Sequence, residues 1–167
     1  LELKSSVKDI CERAGRNPDD VQIIAVSKKS PISEILELNK IGLNDFGENR
    51  SKELKDKYYN IAFHHKGKIN WHMIGHLQSK KVGDIIAIVS LIHSVDSIKL
   101  ANEIDSTAKK INKTIEILVQ VNTSNEPQKY GIDPSEVKEV CSQISEMENI
   151  RLKGLMTMAK FTEDKDE

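Results

Sequence analysis

A lysine follows the first strongly apolar run of the sequence, in the stretch VQIIAVSKKSP at residues 21–31. The Val, Ile and Ala residues before it and the proline after it predict a short strand over 21–27, buried on both faces. Lys28 comes directly after that strand. From the spacing alone, the simpler interpretation is a surface lysine in a βα turn, since an unpaired ammonium is costly to bury. The other is an amine held at the mouth of a pocket, where burial and the neighbouring Lys29 favour the neutral form that adds to an aldehyde.

The other chemistry-bearing residues form no pattern that predicts a reaction by itself. His72 and His76 are four residues apart, which suits a metal on a helix, but here they lie in a strand pattern interrupted by Gly75. A zinc site is therefore not predicted. The 8 glycines form neither a GxGxxG nor a GxxxxGK motif, which argues against dinucleotide and P-loop sites. We identify no pair of catalytic carboxylates and no Ser-His-Asp arrangement.

Strand-like and helix-like segments alternate along the chain. Residues 97–112 and 134–147 have helical spacing of apolar residues. Asp96 or Ser97 is the expected N-cap of the first of these helices, and Asp133, before Pro134, that of the second. The predicted strands are 21–27, 45–48, 69–75, 91–95, 115–122 and 151–158. This order of elements favours a parallel sheet.

The strand ends favour a (β/α)8 TIM barrel over a flavodoxin-like open sheet, although both gather ligands at the carboxyl ends of their strands. Five of the six predicted strands end in a polar residue or glycine, at Lys28, Glu48–Asn49, Gly75–His76, Asp96 and Asn122. Such barrels typically need about 250 residues. We therefore predict about six of the eight βα units in a single domain, 1–167, that is incomplete at the carboxyl terminus.

Composition excludes several classes of protein. The 167 residues are 38% hydrophobic, enough for one domain with a core. The 25 basic and 26 acidic residues give a net charge of -1, which predicts neither a nucleic-acid nor a membrane partner. The apolar stretch at 85–92 is too short to span a bilayer. With no secretory signal at its start, and with Cys11 and Cys141 expected as buried thiols, the chain is predicted to be cytoplasmic.

Six motifs in one order carry a resemblance to a known family: IIAVSK, FGEN, WHMIGHLQSKK, HSVD, VQVNTSNEPQKYGI and LKGLMTM. The chain, from its first helix to about Ala159, resembles the YggS/PROSC family of pyridoxal 5'-phosphate (PLP) homeostasis proteins, relatives of the alanine racemase barrel. The resemblance implies that Lys28 carries PLP as an aldimine and that Asn49 lines the cofactor site. His72 and Met156, on neighbouring strand ends, are further cofactor-binding candidates.

The resemblance also implies a non-catalytic PLP carrier that is a monomer at full length. Two positions depart from the family pattern: Lys80 replaces a usual asparagine and Lys160 a common proline. The family's phosphate-holding elements come after the last motif and have no counterpart in this chain. Three alternatives remain open: a Schiff-base aldolase with Lys28 or Lys160 as nucleophile, a racemase-like PLP enzyme, and an interaction module whose lysine is inert.

Overall fold

The structure is a computed structural model that describes residues 2–65, 67–124, 126 and 129–159. Within them, six strands form one sheet and six α-helices alternate with the strands. The strands are β1 (Ala25–Val26), β2 (Asp45–Glu48), β3 (Asn70–Met73), β4 (Val89–Val95), β5 (Ile115–Val121) and β6 (Ile150–Thr157). The helices are α1 (Glu2–Arg13), α2 (Ile32–Lys40), α3 (Ser51–Ala62), α4 (Val82–Ile85), α5 (Ile98–Lys110) and α6 (Val137–Ser145).

The strand order is that of a barrel. Each strand pairs in parallel with the next one in the sequence, giving the order β1-β2-β3-β4-β5-β6. A doubly wound open sheet instead reverses its strand order at a switch point. No reversal occurs among the described strands, so the flavodoxin-like alternative is wrong. Six consecutive parallel strands are present as predicted, the first five of them each followed by an α-helix, and within the described residues β1 and β6 remain the unjoined edges of the sheet.

The core lies between the helices and one face of the sheet. Alternate strand residues on that face, including Phe46, Trp71 and Ile117, are at most 2% exposed. Leu54 of α3 and Ile104 of α5 belong to the same apolar cluster and are fully buried. Burial of each such side chain contributes about 1.5–3 kcal/mol. The helices therefore cover one face of the sheet and leave the other face to polar residues at several positions.

The first strand is shorter and more exposed than predicted. β1 contains only two residues, and Val26 is 53% exposed rather than buried on both faces. The physical reason is its place at the edge of the described sheet, where β2 is the one described strand that pairs with it.

The predicted helix ends were right in one case and wrong in another. Ser97 caps α5 by accepting a hydrogen bond from the backbone N–H of Leu100, at 3.3 Å. The helix predicted from 134 begins only at Val137. Asp133 instead accepts the backbone N–H of Ser135, at 2.9 Å, and forms a turn before the helix.

Two further sequence-based expectations can be compared with the structure. Both cysteines are free thiols, but only Cys11 is buried, while Cys141 is half-buried. None of the helices in the described ranges is long and apolar enough to cross a membrane.

Candidate functional site

Lys28 lies in a tight turn at the carboxyl end of β1. The turn runs from Ser27 to Ser30 and is closed by a 3.0 Å hydrogen bond from the backbone N–H of Ser30 to the carbonyl oxygen of Ser27. The side chains of Lys28 and Lys29 are both exposed. Lys29 has a φ of 63°, a left-handed conformation that is uncommon for residues other than glycine. The turn therefore presents the amine of Lys28, which no hydrogen bond within the described residues occupies, at the carboxyl ends of the strands, where barrel proteins build their sites.

A buried ionic group lies directly behind this turn. We call Ser27, Glu48, Glu53 and Lys57 the Lys57 cluster. The ammonium nitrogen of Lys57 lies 2.8 Å from Oε1 of Glu48, 2.8 Å from Oε1 of Glu53 and 2.6 Å from the carbonyl oxygen of Ser27. Glu48 is completely buried, and its Oε1 also accepts a 2.7 Å hydrogen bond from the hydroxyl of Ser27. Sequence reasoning missed this cluster.

Pairing within the Lys57 cluster favours the charged forms of Lys57 and Glu53. Burial by itself lowers the pKa of Lys57, but the hydrogen bonds with Glu48 and Glu53 outweigh it and raise that pKa above its ordinary value. The hydrogen bond from Lys57, followed by the one from the Lys29 backbone, lowers the pKa of Glu53. The available sequence signals were the Glu53–Lys57 spacing of four residues on a helix and a glutamate at the end of the apolar DFGE strand.

Asn49 and Gly75 bring the ends of β2 and β3 into close contact. A β-carbon on Gly75 would lie 2.4 Å from the carbonyl oxygen of Asn49 and 2.7 Å from its Cα, so only glycine fits there. The side chain of Asn49 is half-buried and forms no hydrogen bond within the described part of the chain. Arg50, rather than Asn49, is the N-cap residue of α3. The Asn49 amide is therefore available to a ligand.

His72 lies in β3, one residue before the carboxyl end of that strand. Its Nε2 is 3.0 Å from a carboxylate oxygen of Asp45, and its Nδ1 is 3.0 Å from Nε2 of His93. Burial raises the pKa of Asp45, but hydrogen bonds from Asn70 and His72 outweigh it and leave that pKa below its ordinary value. His72 is 3% exposed, and both of its ring nitrogens are engaged within the protein.

Met156 lies far along the sheet from Lys28. It belongs to β6, at the opposite edge of the described sheet from β1, and is half-buried. Met156 helps to line an apolar groove of about 280 Å³ beside Val121, Val137 and Leu155. The structure thus places Lys28 and Asn49 at the carboxyl ends of the neighbouring strands β1 and β2. It does not bring Met156 next to them, because β6 is the outermost strand on the other side of the described sheet. Lys160, the alternative nucleophile, lies outside the described residues.

A second group lies at the strand ends: the sequence analysis placed His76 and Asp96 there but did not predict that they pair or that His76 stacks on Tyr130. Nδ1 of His76 lies 2.9 Å from a carboxylate oxygen of Asp96, and its ring stacks on that of Tyr130, with centroids 3.8 Å apart. The hydroxyl of Ser94 donates a 2.6 Å hydrogen bond to the carbonyl oxygen of Gly75 and anchors this loop. In the described ranges, no three His, Cys, Asp or Glu side chains come together as a metal site.

The fold and this edge of polar residues define a β/α-barrel domain with its candidate site at the carboxyl ends of the strands. The family model described as alanine racemase, N-terminal domain, matches residues 2–167. The pyridoxal phosphate homeostasis protein of Vibrio alginolyticus is 36% identical over 163 residues, 97% of this chain and 70% of that protein. The one of Aquifex aeolicus is 35% identical, over 96% of this chain and 69% of that protein. The chain belongs to the family of pyridoxal phosphate homeostasis proteins, within the alanine racemase N-terminal domain class.

Solved structures agree with this assignment. A crystal structure from Bifidobacterium adolescentis has a TM-score of 0.91 and 32% identity, covering 99% of this chain and 70% of that one. PipY of Synechococcus elongatus, solved with PLP bound, has a TM-score of 0.78 and 30% identity, covering 93% and 71%. Alanine racemase of Clostridium difficile, at 18% identity and a TM-score of 0.70, covering 93% and 39%, shows the shared fold alone.

Proposed function

We propose that this protein binds PLP through the amine of Lys28 and serves as a carrier of the cofactor rather than as an enzyme. The observation that carries the proposal is the exposed Lys28 amine in the turn after β1, at the same edge of the sheet as the uncommitted Asn49 amide. The PLP bound to PipY, a relative at 30% identity, supports it. When bound, PLP supplies an aldehyde that a primary amine can attack.

The residues at this edge fit such a ligand. Lys28 offers a primary amine that no hydrogen bond within the described residues occupies. Asn49 offers an amide donor and acceptor. Gly75 has no side chain, and a β-carbon at that position would collide with the Asn49 backbone. Asn49 would orient the ligand by hydrogen bonding. His72, with both ring nitrogens engaged, would shape the polar face of the sheet below it.

The phosphate would be held by residues other than these. The chain spans about 70% of the length of the relatives described above. The family resemblance assigns the phosphate-holding elements to the part of those proteins that this chain does not match. We therefore propose that residues 1–167 are part of one PLP-binding domain, in which Met156 of β6 reaches the cofactor only when further strands join the two edges of the sheet.

The test is trapping of PLP on the full-length protein. Borohydride reduction followed by peptide mass spectrometry should locate PLP on Lys28, and Lys28→Ala and Lys28→Arg should both lose that adduct, since a guanidinium stays charged. Lys29→Arg is the matched control and should keep the adduct. PLP found on another lysine of the unmodified protein would refute the assignment. An aldolase would be trapped only with its carbonyl substrate, and an inert interaction module would not be trapped at all.

A racemase-like activity is the second candidate, because the His76–Asp96 pair at the strand ends could hold or move a proton. The two functions differ in one measurable reaction. A racemase-like enzyme would exchange the α-proton of L-alanine in D2O, and His76→Gln would abolish that exchange. A carrier would give no exchange above that of free PLP, which is the result we expect.

A further inference from the structure

The backbone on each side of Lys28 is bonded to the Lys57 cluster. On the amino-terminal side, the carbonyl oxygen of Ser27 accepts a 2.6 Å hydrogen bond from the ammonium of Lys57. On the carboxyl-terminal side, the backbone N–H of Lys29 donates a 2.6 Å hydrogen bond to Oε1 of Glu53. The same Glu53 oxygen accepts from Lys57, so the two sides are linked through one ion pair.

The cluster is built to stay in one arrangement. The side chain of Lys57 is 9% exposed and that of Glu48 is 0% exposed, and a buried ion is stable only while its partners stay in place. An ammonium has three N–H donors, and Lys57 directs all three, to Ser27, Glu48 and Glu53. Lys57 therefore has no lone pair for nucleophilic attack, and its role differs from that of Lys28.

The conformation of Lys29 indicates that the turn is held rather than relaxed. A φ of 63° is unfavourable for a residue with a β-carbon, and such strain persists only where the surrounding structure imposes it. The 2.6 Å hydrogen bond from the Lys29 N–H to Glu53 is one of the contacts that hold the turn in this conformation. Strained residues of this kind are enriched at functional sites.

We propose that the Lys57 cluster positions Lys28: Lys57 and Glu53 hold the turn on both sides of it, so that its amine is presented to the incoming aldehyde in one orientation. This inference rests on the proposed function, since it assigns the role of these residues to PLP capture at Lys28. Lys57 and Glu53 are positioning residues and do not contact the cofactor. Their loss should slow the attachment of PLP while leaving the Lys28 amine itself intact.

The test compares variants of Glu53 in the full-length protein. Glu53→Ala removes the acceptor for the Lys29 N–H, whereas Glu53→Gln keeps an oxygen that can accept it. The rate of PLP attachment at Lys28, trapped with borohydride, should fall about tenfold in Glu53→Ala, which corresponds to about 1.4 kcal/mol. In Glu53→Gln it should stay within about threefold of the unmodified protein, because the bond to the turn is retained.

A second measurement does not depend on PLP. Hydrogen exchange of the Lys29 amide, followed by NMR without ligand, should become about tenfold faster in Glu53→Ala and stay slow in Glu53→Gln, as expected when one hydrogen bond is lost. Lys55→Met is the matched control: Lys55 lies on the same helix, and its one ion pair among the described residues is with the partly exposed Asp84. It should change neither the exchange nor the attachment rate.

The two measurements separate failure of this inference from failure of the proposed function. If the unmodified protein does not attach PLP at Lys28, the proposed function fails, and amide exchange alone still shows whether the turn is held. If Glu53→Ala speeds Lys29 exchange but leaves the attachment rate unchanged, the cluster is structural and the positioning role is refuted. Unchanged exchange in Glu53→Ala would also refute it.

Discussion

His72 and His93 share a hydrogen bond on the sheet face that the helices leave open, with Nδ1 of His72 and Nε2 of His93 3.0 Å apart. Asp45 accepts from the other nitrogen of His72 and completes a row of three side chains across three strands. Burial, followed by repulsion from His72, lowers the pKa of His93 to about 4. His93 is therefore neutral in the folded protein at neutral pH.

This pKa predicts a loss of stability in mild acid. An unfolded histidine titrates near 6.5, so between about pH 6.5 and 4 the unfolded chain binds a proton that folded His93 does not. The free energy of unfolding should fall as the pH drops through that window. His93→Gln should make this dependence weaker, as measured by urea unfolding at pH 7 and pH 5. His64 is exposed, so His64→Gln is the control and should keep the pH dependence of the unmodified protein. An equal pH dependence in all three proteins would contradict the prediction.

Removing Lys57 should strongly destabilise the fold. Lys57→Met leaves the carboxylate of Glu48 buried without its counter-ion, which typically costs about 3–5 kcal/mol. Adding Glu48→Gln to that variant should recover part of the loss, because the fully buried charge is then removed and the Glu53 carboxylate that stays unpaired is partly exposed. Lys55→Met breaks a partly exposed pair and should cost about 1 kcal/mol or less. Denaturant unfolding measures all three, and similar losses for Lys55→Met and Lys57→Met would contradict the burial argument.

Gly75→Ala should disturb the contact between the β2 and β3 ends. Its β-carbon would lie 2.4 Å from the Asn49 carbonyl oxygen, which is backbone and cannot rotate away. Forcing atoms into a packed region costs about 1–3 kcal/mol, and PLP affinity should fall with it. Gly83→Ala is the matched control: nothing lies within 4 Å of its β-carbon in α4, so stability should hold or rise by up to about 1 kcal/mol. Thermal unfolding of both variants measures the two changes in stability, and equal stability of Gly75→Ala and the unmodified protein would contradict the prediction.

Asn49→Ala should weaken PLP binding without weakening the fold. Its side chain has no hydrogen bond to lose within the described residues, while one bond to a neutral ligand group is worth about 1 kcal/mol, or several-fold in affinity. Asn39→Ala should instead lower the free energy of unfolding and leave PLP affinity unchanged. The side chain of Asn39 forms hydrogen bonds to Leu43, Asn44 and Lys68, away from the turn. Titration with PLP and denaturant unfolding of both variants measure this. Unchanged PLP affinity in Asn49→Ala would remove Asn49 from the site.

Local patterns in the sequence predicted most of the elements. Alternating strand and helix periodicities located all six strands, and the DFGE strand has the predicted bounds, 45–48. They also placed Lys28 and Asn49 directly after strands, and the Ser97 cap was among the expected ones. These features depend on side chains within a few residues of one another, so residues that are close in the sequence are enough to predict them.

Tertiary contacts decided the rest. Lys57 looks like any surface lysine four residues after a glutamate, and only Ser27 and Glu48, from the ends of two strands, make it a buried ion. His72 turns toward Asp45 and His93, and His76 stacks on Tyr130, 54 residues further along the chain. The exposure of Val26 follows from the edge position of β1. Each of these depends on which strands and helices become neighbours, because a charge or a ring is paired only by residues that the fold brings within a few ångströms of it.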